Sequence, residues 1–274
     1  MTSTGWHRWI AGAVLAVLVG LTAFPFYWGI VASLTPEAAL FREPSLWPTH
    51  IILDHYRALF DERDFWIPIR NSIVVAGTTT LLCLAVGSLA AYALARLEFR
   101  GKTGILSLIL AVTMFPQISI VSPLYLLLRA LRLIDTYPGL ILPYLTFAMP
   151  LAVWLLVGFF RQLPFDLEEA ALVDGASRWQ SFTRVILPVS VPALATTAIL
   201  TFIYCWNEFL FALSFTLGPE RQTVPVAIAL FRGQYQVPWG QILAAVVATV
   251  PVAAMVLLAQ RRIVQGLTAG AVKG

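Results

Sequence analysis

The sequence predicts an all-α membrane protein of six transmembrane helices, and three observations carry that prediction. The 274-residue chain is 59% hydrophobic, with a mean hydropathy of +0.82. Charged residues make up 12% of it, about half of what a soluble domain carries. They are gathered so that six uncharged runs remain, at 9–36, 71–95, 103–128, 136–160, 185–207 and 233–260, the shortest of 23 residues. A bilayer crossing takes about 20 apolar residues, and backbone groups in lipid must be satisfied within the segment, so each run reads as a helix. The expected spans are 10–34, 71–95, 103–128, 137–160, 190–215 and 241–260, in one transmembrane domain.

The first run is too long for a cleaved secretory signal, whose apolar core is about 7–15 residues, and it reads as a retained span. The connection 37–70 holds Pro44 and Pro48, then a short interfacial helix from His50 onward, with Trp47, Tyr56 and Trp66 suited to the membrane surface. His50 and His55 read as ordinary surface histidines, since no third ligand type gathers near them. Span two ends in the basic turn EFRGK (98–102), span three in RALRLIDTYPG (129–139), and span five in a Gly- and Pro-containing loop at 216–240. Pro25, Pro116, Pro123, Pro143, Pro150, Pro192 and Pro251 fall inside the runs and predict bends or local unwinding. Cys83 and Cys205 read as small apolar packing residues.

Six spans put both termini on one side. Cytoplasmic termini place ten Lys and Arg residues inside, Arg96, Arg161 and Arg178 among them, and eight outside, four of these in the single long loop. The net charge of +4 comes with no Lys/Arg patch interleaved with aromatics, which leaves nucleic acid without a binding surface. There is no GxxxxGK[ST] phosphate loop, HExxH, CxxC or GxSxG, so no catalytic residue, metal ligand or ATP-hydrolysing site is assigned to this chain.

One long polar connection, 161–188, interrupts the apolar runs. Asp166 and Glu169 have capping-box spacing, predicting a helix from about Leu167, and Gly175 suits the left-handed residue that ends it. Ser177 and Gln180 repeat the capping-box spacing and begin a second helix that Pro188 limits. Helix–helix links usually need roughly 2–8 residues, so the excess favours a docking element over an inert connector. Ala170 and Ala171 are small enough for another backbone to come close.

Glu169, Ala170, Ala171, Gly175, Leu187 and Pro188 reproduce a signature: EAA, three residues, Gly, nine residues, Ile, any residue, Leu-Pro, with Val185 at the Ile position. The stretch resembles the loop of membrane subunits of binding-protein-dependent ABC importers. NSIVV (71–75), AAYALAR (90–96), MFPQIS (114–119), DTYPGLILPY (135–144), WNEF (206–209) and QRRIVQGLTAGAVKG (260–274) resemble the shorter permease of maltose- and trehalose-type sugar importers. The resemblance implies the type I ABC importer permease fold, in the cytoplasmic (inner) membrane of a prokaryote. It implies that Glu168, Glu169, Ala170, Ala171, Asp174, Gly175, Leu187 and Pro188 belong to a coupling helix and its loop, seated in a separate ATPase. The implied partners are a second permease, two ATPase subunits and an extracytoplasmic sugar-binding protein. ATP and Mg would sit on the ATPase, with no cofactor in this chain, and Gly266–Gly274 would reach the ATPase interface.

Gln117, Tyr144, Asn207 and Glu208 are polar groups within or at the end of apolar runs, and they are the candidates for a substrate path. For the first three, interhelical hydrogen bonds are the competing reading. Glu208 reads either as an acid facing a cavity or as an interfacial acid. An ion-coupled secondary transporter and a non-transporting scaffold stay open as other function classes.

Overall fold

The computed structural model describes residues 4–42, 46–48, 50–231, 237–252 and 254–255, and helix is the regular structure throughout them. In chain order the helices are α1 (Thr4–Ser33), α2 (Glu37–Arg42), α3 (Asp54–Arg57), α4 (Trp66–Arg96), α5 (Lys102–Thr113), α6 (Val121–Ala130), α7 (Tyr137–Gln162), α8 (Asp166–Val173), α9 (Arg178–Ser181), α10 (Leu187–Val189), α11 (Val191–Trp206), α12 (Leu210–Phe215) and α13 (Val224–Ala229). A further apolar helix, α14, covers Trp239–Val252.

Among the described residues, Trp9–Ser33, Trp66–Arg96 and Tyr137–Gln162 are each long and apolar enough to cross a bilayer. The stretch expected as span three is instead two helices: Lys102–Thr113 and Gln117–Ala130 meet at 90°. Pro116 lacks an N–H and disfavours helical backbone before it, and it sits extended at φ −68, ψ 118. The expected fifth span begins at a bend, since Arg178–Val189 and Val191–Trp206 meet at 74°, and it is interrupted within, since α12 starts only after Asn207–Phe209. Part of the expected sixth span, at 253 and 256–260, lies outside the described residues, as do Gly266–Gly274.

The chain divides into two compact units, Met1–Trp66 with Ile228–Pro251, and Ile67–Ala227 with Val252–Gly274. In the first, the Glu37 carboxylate accepts the N–H groups of Trp239 and Gly240, each at 2.9 Å, and so caps α14. Arg63 Nε donates to Gln241 Oε1 at 2.9 Å, and its guanidinium lies 4.7 Å over the Phe231 ring. His50 is exposed as expected. His55 is not a surface histidine: it is buried, with Nε2 2.9 Å from the Thr35 carbonyl oxygen. The returning chain covers it, which the five-residue spacing from His50 does not disclose.

The second unit is built on α4 and α7. They pack closely at Gly87, where even a Cβ would already be in ordinary contact with Met149 and Val153, at 3.5 and 3.6 Å. One cluster joins Val75 and Cys83 of α4 with Leu140, Tyr144 and Phe147 of α7, and with Cys205, Phe211 and Phe215. A second joins Ala91, Tyr92 and Leu94 with Val153, Leu156 and Phe160, and with Phe182 and Ile186. Both cysteines are therefore core residues. At the start of α4, fully buried Asn71 donates to the carbonyls of Glu220 and Gln222, both at 2.9 Å, and accepts from Tyr137 Oη at 2.7 Å. Ser72 Oγ accepts the Val224 N–H at 2.8 Å. Thr136 caps α7, and a side chain at Gly139 would collide with the Leu133 carbonyl.

Candidate functional site

The connection between α7 and α11 is shaped by local chemistry. Leu163 is extended at φ −69, ψ 139, as the residue before a proline prefers. Phe165 then takes the cap position, and α8 starts at Asp166, with Asp166, Glu168 and Glu169 in its first turn, where the helix dipole favours anions. The expected Asp166–Glu169 capping box does not form: Pro164 ends the previous backbone so sharply that the helix begins one residue early, leaving Asp166 inside it. At the other end Gly175 has φ +85. Ala176 N donates to Ala171 O at 2.9 Å and Gly175 N to Leu172 O at 3.1 Å, the two bonds of a Schellman closure. The Ser177–Gln180 capping box is complete, at 2.8 and 3.2 Å.

Beyond α9 the chain passes through a π-helical turn, Phe182–Ile186, into α10. Leu187 packs against the second core cluster, while Pro188 is exposed. Ile186 is the fully buried apolar residue here, at 0% exposure, whereas Val185 at the signature position is half-buried.

Glu168 is the one residue of α8 turned fully inward, at 5% exposure. Tyr92 Oη donates to its Oε1. One turn further along α4, buried Arg96 donates through Nη2 to Leu163 O at 2.8 Å, with Pro164 O at 3.5 Å, and lies 4.3 Å over the Phe165 ring. Tyr92 also packs on Phe182, ring centres 4.8 Å apart. The opposite face of α8 is open: Asp166, Glu169, Ala170, Val173 and the following Asp174 are exposed, Val173 at 87%. Ala171 lies between the two faces. Tyr92 and Arg96 were not among the expected site residues. Their signal was an aromatic and a cation four residues apart at the end of a span, on one helix face.

The four path candidates partly converge. Gln117, Asn207 and Glu208 line a cleft of about 410 Å³ with Tyr204 and Phe209. Gln117 Nε2 donates to Tyr204 Oη at 2.7 Å, joining the turn after Pro116 to α11. Asn207 Nδ2 donates within its own helix, to Ile203 O at 2.8 Å. Tyr144 stands apart: it is 1% exposed and directs its hydroxyl at the Glu208 carbonyl, at 3.5 Å. Glu208, 7% exposed, uses both carboxylate oxygens locally, accepting Phe211 N at 2.8 Å and Ala212 N at 3.1 Å. It caps α12 from within the protein. A neighbouring cavity of about 430 Å³ shares Gln117 and Tyr204 and is lined by Phe115, Phe147 and Trp154.

Comparison with known proteins places this geometry. Residues 83–269, which include the whole connection, match the family described as binding-protein-dependent transport system inner membrane component. The chain is 48% identical to the trehalose transport system permease protein SugB of Mycobacterium tuberculosis, over 96% of this chain and 97% of that protein. It is 44% identical to the trehalose/maltose transport system permease protein MalG of Thermococcus litoralis, over 97% and 96%. Among solved structures it resembles a bacterial ABC transporter for import of the acidic polysaccharide alginate, with a TM-score of 0.80 at 22% identity over 95% of this chain and 98% of that one, a likeness of fold. The chain therefore has the all-α fold of an ABC transporter permease, and it belongs to the family of inner membrane components of binding-protein-dependent transport systems.

Proposed function

We propose that this chain is the permease subunit of an ATP-driven importer for a di- or oligosaccharide of the trehalose or maltose type. The observation that carries the reading is near-full-length identity of 48% and 44% to permeases named for trehalose and for trehalose/maltose transport. In this reading the chain is one six-span domain with both termini in the cytoplasm, forming half of the translocation path beside a second permease. An extracytoplasmic binding protein delivers the sugar, and two ATPase subunits carry ATP and Mg.

The coupling element is α8. Its inward face is anchored through Glu168, while Glu169, Ala170, Val173 and Asp174 stay free to meet a partner. Small Ala170 permits close approach, and the acids favour a cleft with a basic rim. The Schellman closure at Gly175 fixes where the helix stops, and Leu187 and Pro188 tie the loop back toward α11. For the sugar, Gln117, Tyr204 and Asn207 supply neutral hydrogen-bonding groups and Phe115 and Trp154 supply aromatic faces. Glu208 holds backbone amides with both oxygens, which weighs against a secondary transporter, since ion coupling needs an ionisable group free to exchange its ion.

The test is to purify the chain with its co-purifying partners, reconstitute the complex, and screen neutral sugars with the binding protein for ATPase stimulation and uptake. Stimulation by trehalose, maltose or a related glucoside is expected, together with a crosslink from Val173→Cys to the ATPase subunit. Uptake by this chain alone under a proton or sodium gradient would overturn the reading, and a complex that accumulates no sugar of the panel would favour a scaffold.

A further inference from the structure

We propose that Tyr92 and Arg96, one turn apart at the end of α4, form the seat that makes α4 and α8 move as one body, with Tyr92 a positioning residue for coupling. The inference rests on the reading of α8 as the helix that docks on the ATPase.

Three contacts hold the start of α8, and all come from this single turn of α4. The Tyr92 hydroxyl donates to the Glu168 carboxylate, the Arg96 guanidinium donates to the Leu163 carbonyl, and the same guanidinium covers the Phe165 ring. They grip the last residue before Pro164, the cap residue and the first helical turn, which fixes both the position and the direction of α8. Tyr92, Arg96 and Glu168 are 7%, 5% and 5% exposed, so the two charge-assisted hydrogen bonds are shielded from water and strengthened by that, whereas the Phe165 ring is 54% exposed. Glu168 points away from the exposed face carrying Ala170 and Val173, so a partner can occupy that face without disturbing the seat.

The Arg96 guanidinium reaches two successive carbonyls, Leu163 O at 2.8 Å and Pro164 O at 3.5 Å, so the turn that leads into α8 is held against α4 at more than one backbone group. The other end of α4 is fastened as well, through Asn71 to the carbonyls of Glu220 and Gln222 and through Ser72 to the Val224 amide. A displacement imposed on α8 is thus handed to a 31-residue helix whose far end is bonded to the 220–224 segment.

The experiment uses the complete complex in proteoliposomes and reads sugar transported per ATP hydrolysed, alongside the amount of ATPase subunit that co-purifies. Tyr92→Phe removes only the hydroxyl. It should lower transport per ATP about tenfold, the fold-change of one lost hydrogen bond to a charged group, with ATPase subunits retained. Glu168→Gln keeps a carbonyl acceptor and should retain most of the coupling. Glu168→Leu should match Tyr92→Phe, and the double variant should add nothing. Wild-type transport per ATP in Tyr92→Phe, or losses that multiply in the double variant, would overturn the seat. Failure of the docking reading shows separately, as a Val173→Cys chain that forms no ATPase crosslink in an active complex, and it overturns both.

Discussion

Glu168, in the first turn of α8, and Glu208, just after α11, are both buried acids, yet they are satisfied in opposite ways. Glu208 turns to its own backbone, three and four residues ahead, and caps the short helix that follows. Glu168 reaches a tyrosine hydroxyl 76 residues away in sequence. The first arrangement is complete within one turn of chain and serves that turn. The second exists only when two distant elements are packed together, so it reports and constrains their relation. Burial of a carboxylate in a membrane protein is therefore not one signal but two, separated by where the donors come from.

Three substitutions test the contrast, in falling order of effect. Glu208→Ala leaves two buried amides without an acceptor and should cost about 2–5 kcal/mol of stability, seen as a lower thermal unfolding midpoint in detergent. Glu208→Gln, which keeps one carbonyl oxygen, should cost less. A Glu208→Ala protein as stable as wild type but inactive in uptake would move this acid from the local class to the substrate path. Gly175→Val comes next. A Cβ at that position meets open space, so the expected cost of about 1–3 kcal/mol is backbone strain at φ +85 alone. It should reduce sugar-stimulated ATPase with assembly intact, and Gly175→Asn should be milder. Unaltered stimulation would separate the end of α8 from the proposed coupling role. Ser177→Ala is the smallest, about 1 kcal/mol, because this cap is local like that of Glu208 but exposed. Transport per ATP should not change, and a large drop would mean that the α8–α9 corner also transmits force.

What the sequence disclosed follows the same division. The charge-free runs revealed the long helices α1, α4 and α7, and Gly175 and the Ser177–Gln180 pair announced their own turns, because each signal is contained in a few adjacent residues. Pro116 warned of a break, but the 90° that results depends on what α5 and α6 pack against. Tyr92 and Arg96 carried only the mark of a helix face, and their partners at 163–168 are brought to them by α7, which no local pattern records. Ile186, beside the signature position, is fully buried because of what packs on it from α4 and α7, which its neighbours in sequence do not record.

The double closure at the end of α8 has a further consequence. Eight residues are too few to stay helical alone in water, and here the buried acid on one side and the left-handed glycine at the tail keep the segment folded before anything binds it. In the proposed docking, the partner would meet a finished surface and spend little ordering entropy on it, whereas a synthetic peptide of residues 163–181 would have to fold during capture and should compete poorly for the same groove.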